Sequence, residues 1–212
     1  MKVLLVNGSP HNNGTTFTAL KEVEKSLQAE GIQTEMFWIG NKPISGCIGC
    51  MTCAKLGKCV IDNDTVNQFV LKAKEADGFI FGTPVHYAAM SGLMTSFMDR
   101  VFYSASCSGN KEIFAFKPVS SVICARRAGA TATYDQINKY FGISQMPIIS
   151  TRYWNMAFGK NGEEVKKDEE GMQALRMLGK NMSYYLKCIE AGNEKGIKKP
   201  EQEVVKFTNF IR

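Results

Sequence analysis

No stretch of this chain approaches the roughly 18 apolar residues that a membrane-spanning helix requires. The opening run MKVLLVNGSP turns polar too soon to serve as the hydrophobic segment of a secretory signal. Internal repeats, low-complexity tracts and a clear second domain are missing. The formal charge is only +6 over 212 residues, and the lysines are scattered, with short concentrations at Lys166–Lys167 and Lys198–Lys199. No aromatic-interleaved basic stripe accompanies them, so they read as a solvated surface, and neither nucleic acid nor membrane is expected as a partner. Two phosphate signatures are also absent: there is no G-x-G-x-x-G for a dinucleotide and no Gly-Lys-Ser/Thr for a nucleoside triphosphate. Without a Ser-His-Asp set or a carboxylate pair, nothing supports hydrolysis.

What is present is an ordinary globular composition, 44% hydrophobic, in which short apolar runs alternate with amphipathic stretches. That alternation predicts an α/β chain with parallel strands joined by crossover helices. Strands are expected at Lys2–Asn7, Gln33–Trp38, Gly78–Gly82, Pro118–Cys124 and Pro147–Ser150, and helices at roughly Thr15–Glu30, Thr65–Glu75, Leu93–Tyr103, Thr131–Phe141 and Asp168–Ala191. Five strands with right-handed crossovers make one doubly wound sheet. The expected domain spans residues 1–191, with an inserted cysteine-rich loop at 43–64 and an extension at 192–212. The extension closes in VVKFTNFI, an apolar end expected to pack on its own or a neighbouring subunit. A homodimer or homotetramer is therefore expected. Seven cysteines without a secretory signal suit a reducing compartment, the cytoplasm.

Three loops carry candidate chemistry. Gly8-Ser9-Pro10-His11-Asn12-Asn13-Gly14-Thr15-Thr16 joins the first strand to the first helix. Small residues there let the backbone curl round an anion at a helix N-terminus, and Ser9, Thr15 and Thr16 add hydroxyl donors. The loop suits one phosphate monoester; the plainer alternative is a polar turn. GSPHNNGTT after a KVLLVN strand resembles the phosphate loop of the NADPH-dependent FMN reductase branch of flavodoxin-like proteins. His11 stands where that branch usually has arginine, and Thr15 where it often has asparagine, so the family's arginine on the phosphate has no counterpart in this loop. The resemblance implies a flavodoxin-like sheet in the order 2-1-3-4-5, with Ser9, His11, Asn13, Gly14, Thr15 and Thr16 around an FMN phosphate.

In such a topology the ligand lies beyond the carboxyl ends of the first and third strands. There the chain reads Thr83-Pro84-Val85-His86-Tyr87, which resembles the family's Thr-Pro-x-Tyr-Tyr segment. It implies that Pro84, Val85, His86 and Tyr87 meet the isoalloxazine, through backbone amides and flat rings. A third loop, Cys124-Ala125-Arg126-Arg127-Ala128-Gly129, resembles the family's third flavin loop. Arg127, slightly preferred over Arg126, and Gly129 are its candidates; positive charge there would favour the reduced ring. Cys124 reads as a buried small hydrophobe.

Between the second strand and the next helix, Cys47, Cys50, Cys53 and Cys59 fall within one short segment. Three cysteines at two-residue gaps let a tight loop turn its sulfurs inward, as in C-x₂-C-x₂-C cluster runs. Zinc suits the spacing less, because its paired knuckles are usually further apart. The spacing resembles the compact motif of iron–sulfur flavoproteins, where a [4Fe–4S] centre lies near FMN. Free thiols and a reversible disulfide stay open beside the cluster. Asp62 and Asp64 read as helix caps, Asp99 and Arg100 as a charge pair at a helix end, and Cys107 and Cys188 as isolated.

The resemblances together imply an FMN-dependent oxidoreductase in which NAD(P)H reduces a flavin, quinone or similar acceptor. The alternative is an electron carrier that exchanges electrons with ferredoxin-like partners. A flavin-based redox sensor has no specific residue behind it.

Overall fold

A computed structural model describes residues 1–208 and 210. The apolar opening run forms β1 (Lys2–Asn7), a strand nearly unbroken in its burial, and helix α1 (Thr15–Ala29) returns over it to β2 (Gln33–Trp38). The cysteine-rich segment follows, holding the one-turn helix α2 (Cys53–Leu56), and leads into α3 (Val66–Lys74). Then come β3 (Gly78–His86), the two-residue β4 (Ala89–Met90), α4 (Gly92–Cys107), β5 (Val119–Ala125) and α5 (Ala130–Ile143). The chain closes with β6 (Met156–Phe158), the short α6 (Gly162–Val165) and α7 (Glu169–Glu194). The strands lie in the order β2-β1-β3-β5-β6, with β4 returning off the end of β3. All neighbours on that path are parallel, and only the β3–β4 pair is antiparallel. This is the expected doubly wound order; the hairpin strand β4 merely shifts the numbering.

Alternation along the strands sorts the core into two layers. Leu4, Val6, Phe79, Phe81, Val119 and Ile123 face α3, α4 and α5, where Phe69, Phe97, Phe102 and Phe141 are buried. Val3, Leu5, Ile80 and Val122 face α1 and α7, packing with Leu20, Val23, Leu27, Leu175 and Leu178. Each fully buried side chain of this size contributes about 1.5–3 kcal/mol, so both faces are closed and the strands read as continuous apolar runs. Gly82 lets α1 approach β3: a Cβ there would lie 2.8–2.9 Å from Leu20 and Thr16 side-chain atoms.

One expectation is corrected. The segment Pro147–Ser150 is not a strand and makes only one bridge, Ile148 to Val119; the edge position belongs to Met156–Phe158. Side chains divert the chain between them. Ser120 Oγ donates to Ile149 O at 2.7 Å, the buried Asn155 donates its Nδ2 to Ser120 Oγ at 2.8 Å, and Asn155 O accepts from Ile123 N at 2.9 Å. In the C-terminal extension, expected to pack on its own or a neighbouring subunit, Val204, Phe207 and Phe210 are 90–98% exposed. After Gly196 its contacts include Ile197 N to Gly192 O at 2.9 Å, Lys199 Nζ over the Phe116 ring and Gln145 Nε2 to Gln202 Oε1. Asn209, Ile211 and Arg212 of the expected apolar end lie outside the described residues. Among those residues no helix is long and apolar enough to cross a membrane.

Candidate functional site

β1, β3 and β5 are adjacent, so the loops at their carboxyl ends share one edge of the sheet. Asn7, the fully buried last residue of β1, organises the first loop. Its Nδ2 donates to Asn12 O at 3.0 Å and its Oδ1 accepts from Ser9 N at 3.1 Å. Ser9 Oγ accepts from His11 N at 3.1 Å, and Trp38 Nε1 of β2 donates to Ser9 O at 2.8 Å. The loop is thereby curled back on itself and delivers the chain to Gly14, the N-cap of α1, which supplies no side-chain cap. The first intrahelical bond there is Thr18 N to Gly14 O. Among the described residues, the N–H groups of Thr15, Thr16 and Phe17 have no acceptor, and no acidic residue sits in that turn. Thr16 Oγ1 is buried beside the Cys124 thiol, yet the geometry gives it no hydrogen bond there. Ser9 is buried, Gly14 and Thr15 are half-buried, and His11 and Asn13 are exposed. The cluster of unmet donors at a helix N-terminus is what an anion satisfies.

The second loop differs from expectation at its base, because β3 runs on through His86 instead of ending at Gly82. Pro84 and Val85 are half-buried in this strand end, and His86 is exposed. Tyr87 stands at the tip, fully exposed and with φ of 55°. A bulky residue in the left-handed region costs of order 1–3 kcal/mol, and such positions cluster at ligand sites. Ser91 Oγ donates to Gly8 O at 3.2 Å, tying the second loop to the first, and also accepts from Met94 N to cap α4. In the third loop Arg126 and Arg127 are exposed and form no ion pair among the described residues. Gly129, with φ of 89°, caps α5; a Cβ there would lie 2.9 Å from Val85 Cγ1. The three loops therefore meet. Sequence patterns missed Asn7, Trp38 and Ser91, whose hydrogen bonds hold the arrangement; no motif spacing marks them.

The cysteine loop forms a second feature. Cys47, Cys50, Cys53 and Cys59 line one cavity of about 20 Å³ together with Arg100 and Tyr103 of α4. Hydrogen bonds from Thr52 hold the exposed Cys50 thiol below its ordinary pKa. Burial, then a hydrogen bond with Cys107, pushes Cys53 up to about 11, so Cys107 is not isolated. Among the described residues no three Cys, His, Asp or Glu side chains are gathered into a metal-binding set. The four sulfurs share a pocket without forming a cage.

The reading of Asp99 and Arg100 as a helix-end pair is corrected, since both lie inside α4. Arg100 is buried and paired with Asp64, and Asp99 accepts from Tyr140 Oη. Asp64 Oδ1 also accepts from Val66 N at 3.1 Å, the capping role expected of it. Asp62 does not cap α3: it accepts from Asn67 Nδ2 and pairs with Lys58. Cys124 is buried as expected, and burial pushes its thiol up to about 12. A cavity of about 580 Å³ opens between α1 and α7 and is lined by charges of both signs, including Glu22, Arg176 and Glu170. None of the candidate site residues named from the sequence borders it.

Residues 1–161 match the family described as NADPH-dependent FMN reductase. An iron–sulfur flavoprotein of Methanocaldococcus jannaschii is 31% identical over 201 residues, covering 90% of this chain and all of that protein. Among solved structures, RosB with a bound intermediate, 8-demethyl-8-formylriboflavin-5′-phosphate, is similar at TM-score 0.70 and 16% identity, covering 100% of this chain and 94% of that one. A flavodoxin from the domain Archaea is similar at TM-score 0.58 and 13% identity, covering 88% of this chain and 99% of that one. These two likenesses concern the fold.

Proposed function

The chain belongs to the NADPH-dependent FMN reductase family, and from that premise we propose that it is an FMN-dependent oxidoreductase that takes electrons from NAD(P)H and passes them to a flavin, quinone or similar acceptor. One observation carries the cofactor assignment: the uncapped first turn of α1 presents the N–H groups of Thr15, Thr16 and Phe17 beside the unpartnered Thr16 hydroxyl. This donor set fits a single terminal phosphate, hence FMN. Bound FMN supplies the chemistry, accepting a hydride and returning electrons. The protein's own residues do the rest. The α1 turn, with Ser9 and Thr15, holds the phosphate, and His11, Asn13 and Gly14 border it. The Pro84–Tyr87 segment presents backbone amides and the exposed Tyr87 ring to the isoalloxazine. Arg127, with Gly129 shaping its loop, places positive charge near it.

The cysteine pocket favours a second reading, an iron–sulfur flavoprotein that carries electrons to ferredoxin-like partners. Four soft sulfur donors on one cavity suit a [4Fe–4S] cluster held by Cys47, Cys50, Cys53 and Cys59, and the Methanocaldococcus relative bears that class name. Seven cysteines, all free among the described residues, suit the reducing cytoplasm. The exposed apolar tail suits a contact between copies in a homodimer or homotetramer.

Heat release and mass measurement of the flavin test the main reading: FMN is expected, and FAD, or no flavin after reconstitution, refutes it. Protein purified without oxygen should carry roughly four irons per chain and lose them in C50S. Protein with full FMN and no iron rejects the cluster. Fast NADPH–quinone turnover supports the reductase, whereas slow turnover beside fast exchange with reduced ferredoxin supports the carrier.

A further inference from the structure

Arg100 is the bulkiest fully buried side chain of the described residues, 1% exposed. A charge so placed is tolerated only when it is paired and hydrogen-bonded. Nη1 pairs with the Asp64 carboxylate and donates to Ser45 O at 3.3 Å; Nη2 donates to Ile61 O at 2.6 Å. Nε donates to Cys59 Sγ at 3.3 Å. The four partners come from both ends of the cysteine loop, so one guanidinium on α4 ties together its entry, its fourth cysteine and its exit. A lysine, with one compact head, cannot reach acceptors spread in this way.

We propose that Arg100 is a positioning residue for the iron–sulfur site: it holds Cys59 in place, and its Nε–H···Sγ bond raises the reduction potential of the cluster that Cys59 ligates. This rests on the cluster reading above. A hydrogen-bond donor and a positive charge at a ligand sulfur stabilise the added electron and so favour the reduced state. A residue serving only to neutralise Asp64 would leave the potential where it is.

The test uses full-length protein prepared anaerobically, with FMN content as the check on folding and EPR-monitored redox titration as the readout. R100K should retain FMN and either lose iron or show a reduction equilibrium lowered about tenfold, ~59 mV for a one-electron couple. Full iron with an unchanged potential overturns the proposal. Where R100K fails to retain FMN, wild-type protein labelled with ¹⁵N-arginine decides. Pulsed EPR of its reduced cluster should show an arginine nitrogen coupling, and no coupling overturns the proposal. Iron-free wild-type protein removes the cluster reading itself, a failure distinct from an unchanged potential.

Discussion

Replacing Thr16 by valine separates the two jobs a buried hydroxyl can have. Valine keeps the β-branched shape, so packing of the first turn of α1 against Gly82 is preserved. In the ligand-free protein Thr16 Oγ1 is buried without a hydrogen-bond partner. An unsatisfied buried group costs about 1–3 kcal/mol, so Thr16→Val should hold or raise apoprotein stability. For a chain of this size each kcal/mol moves the melting midpoint by roughly 2–4 °C. With FMN the sign reverses. A hydrogen bond to a charged phosphate is worth about 1.5–3 kcal/mol, and about 1.4 kcal/mol is tenfold in affinity. The Kd for FMN should therefore rise roughly 10–150-fold. Flavin fluorescence titration measures it, and riboflavin, which lacks the phosphate, serves as the control and should change little. An unchanged Kd for FMN would place the hydroxyl away from the phosphate. A lower melting midpoint for the apoprotein would show that the hydroxyl is satisfied already, and either result refutes the assignment.

Glu35 on β2 pairs with Lys2 at 2.6 Å and Lys72 at 2.5 Å, and its hydrogen bonds to Lys2, then Lys72, hold its carboxyl below the ordinary 4.5. A lowered folded pKa adds stability that is present above the unfolded value and lost as pH falls through the folded one. E35Q should therefore lose about 0–1 kcal/mol per pair near neutral pH and show a flatter stability profile below pH 4.5; urea melts at pH 7 and pH 3 with the wild-type difference would refute this. Light scattering should return a dimer or larger assembly for the full chain and a lower mass after removal of residues 201–212. A full chain of monomer mass at micromolar concentration refutes the tail's role.

Periodicity determined the layers by itself, because strands covered on both faces must be apolar throughout and helices must carry one apolar stripe; the strand order followed from the family resemblance of the loops. The same logic placed the three loops on one edge: parallel strands separated by crossovers deliver their carboxyl ends to the same side. What failed locally was the edge strand. Pro147–Ser150 has the composition of a strand, yet Ser120 and Asn155, far apart in sequence, bond across and hand the edge to Met156–Phe158. Arg100 was illegible for a related reason, since its partners Ser45, Cys59, Ile61 and Asp64 sit on another element and a charge inside an amphipathic pattern reads as surface. Cysteine spacing named the four sulfurs that share a pocket, but it could not bring Cys107 to Cys53. That meeting depends on α2 packing against the end of α4, a contact between segments well separated in the chain, which only the folded core imposes.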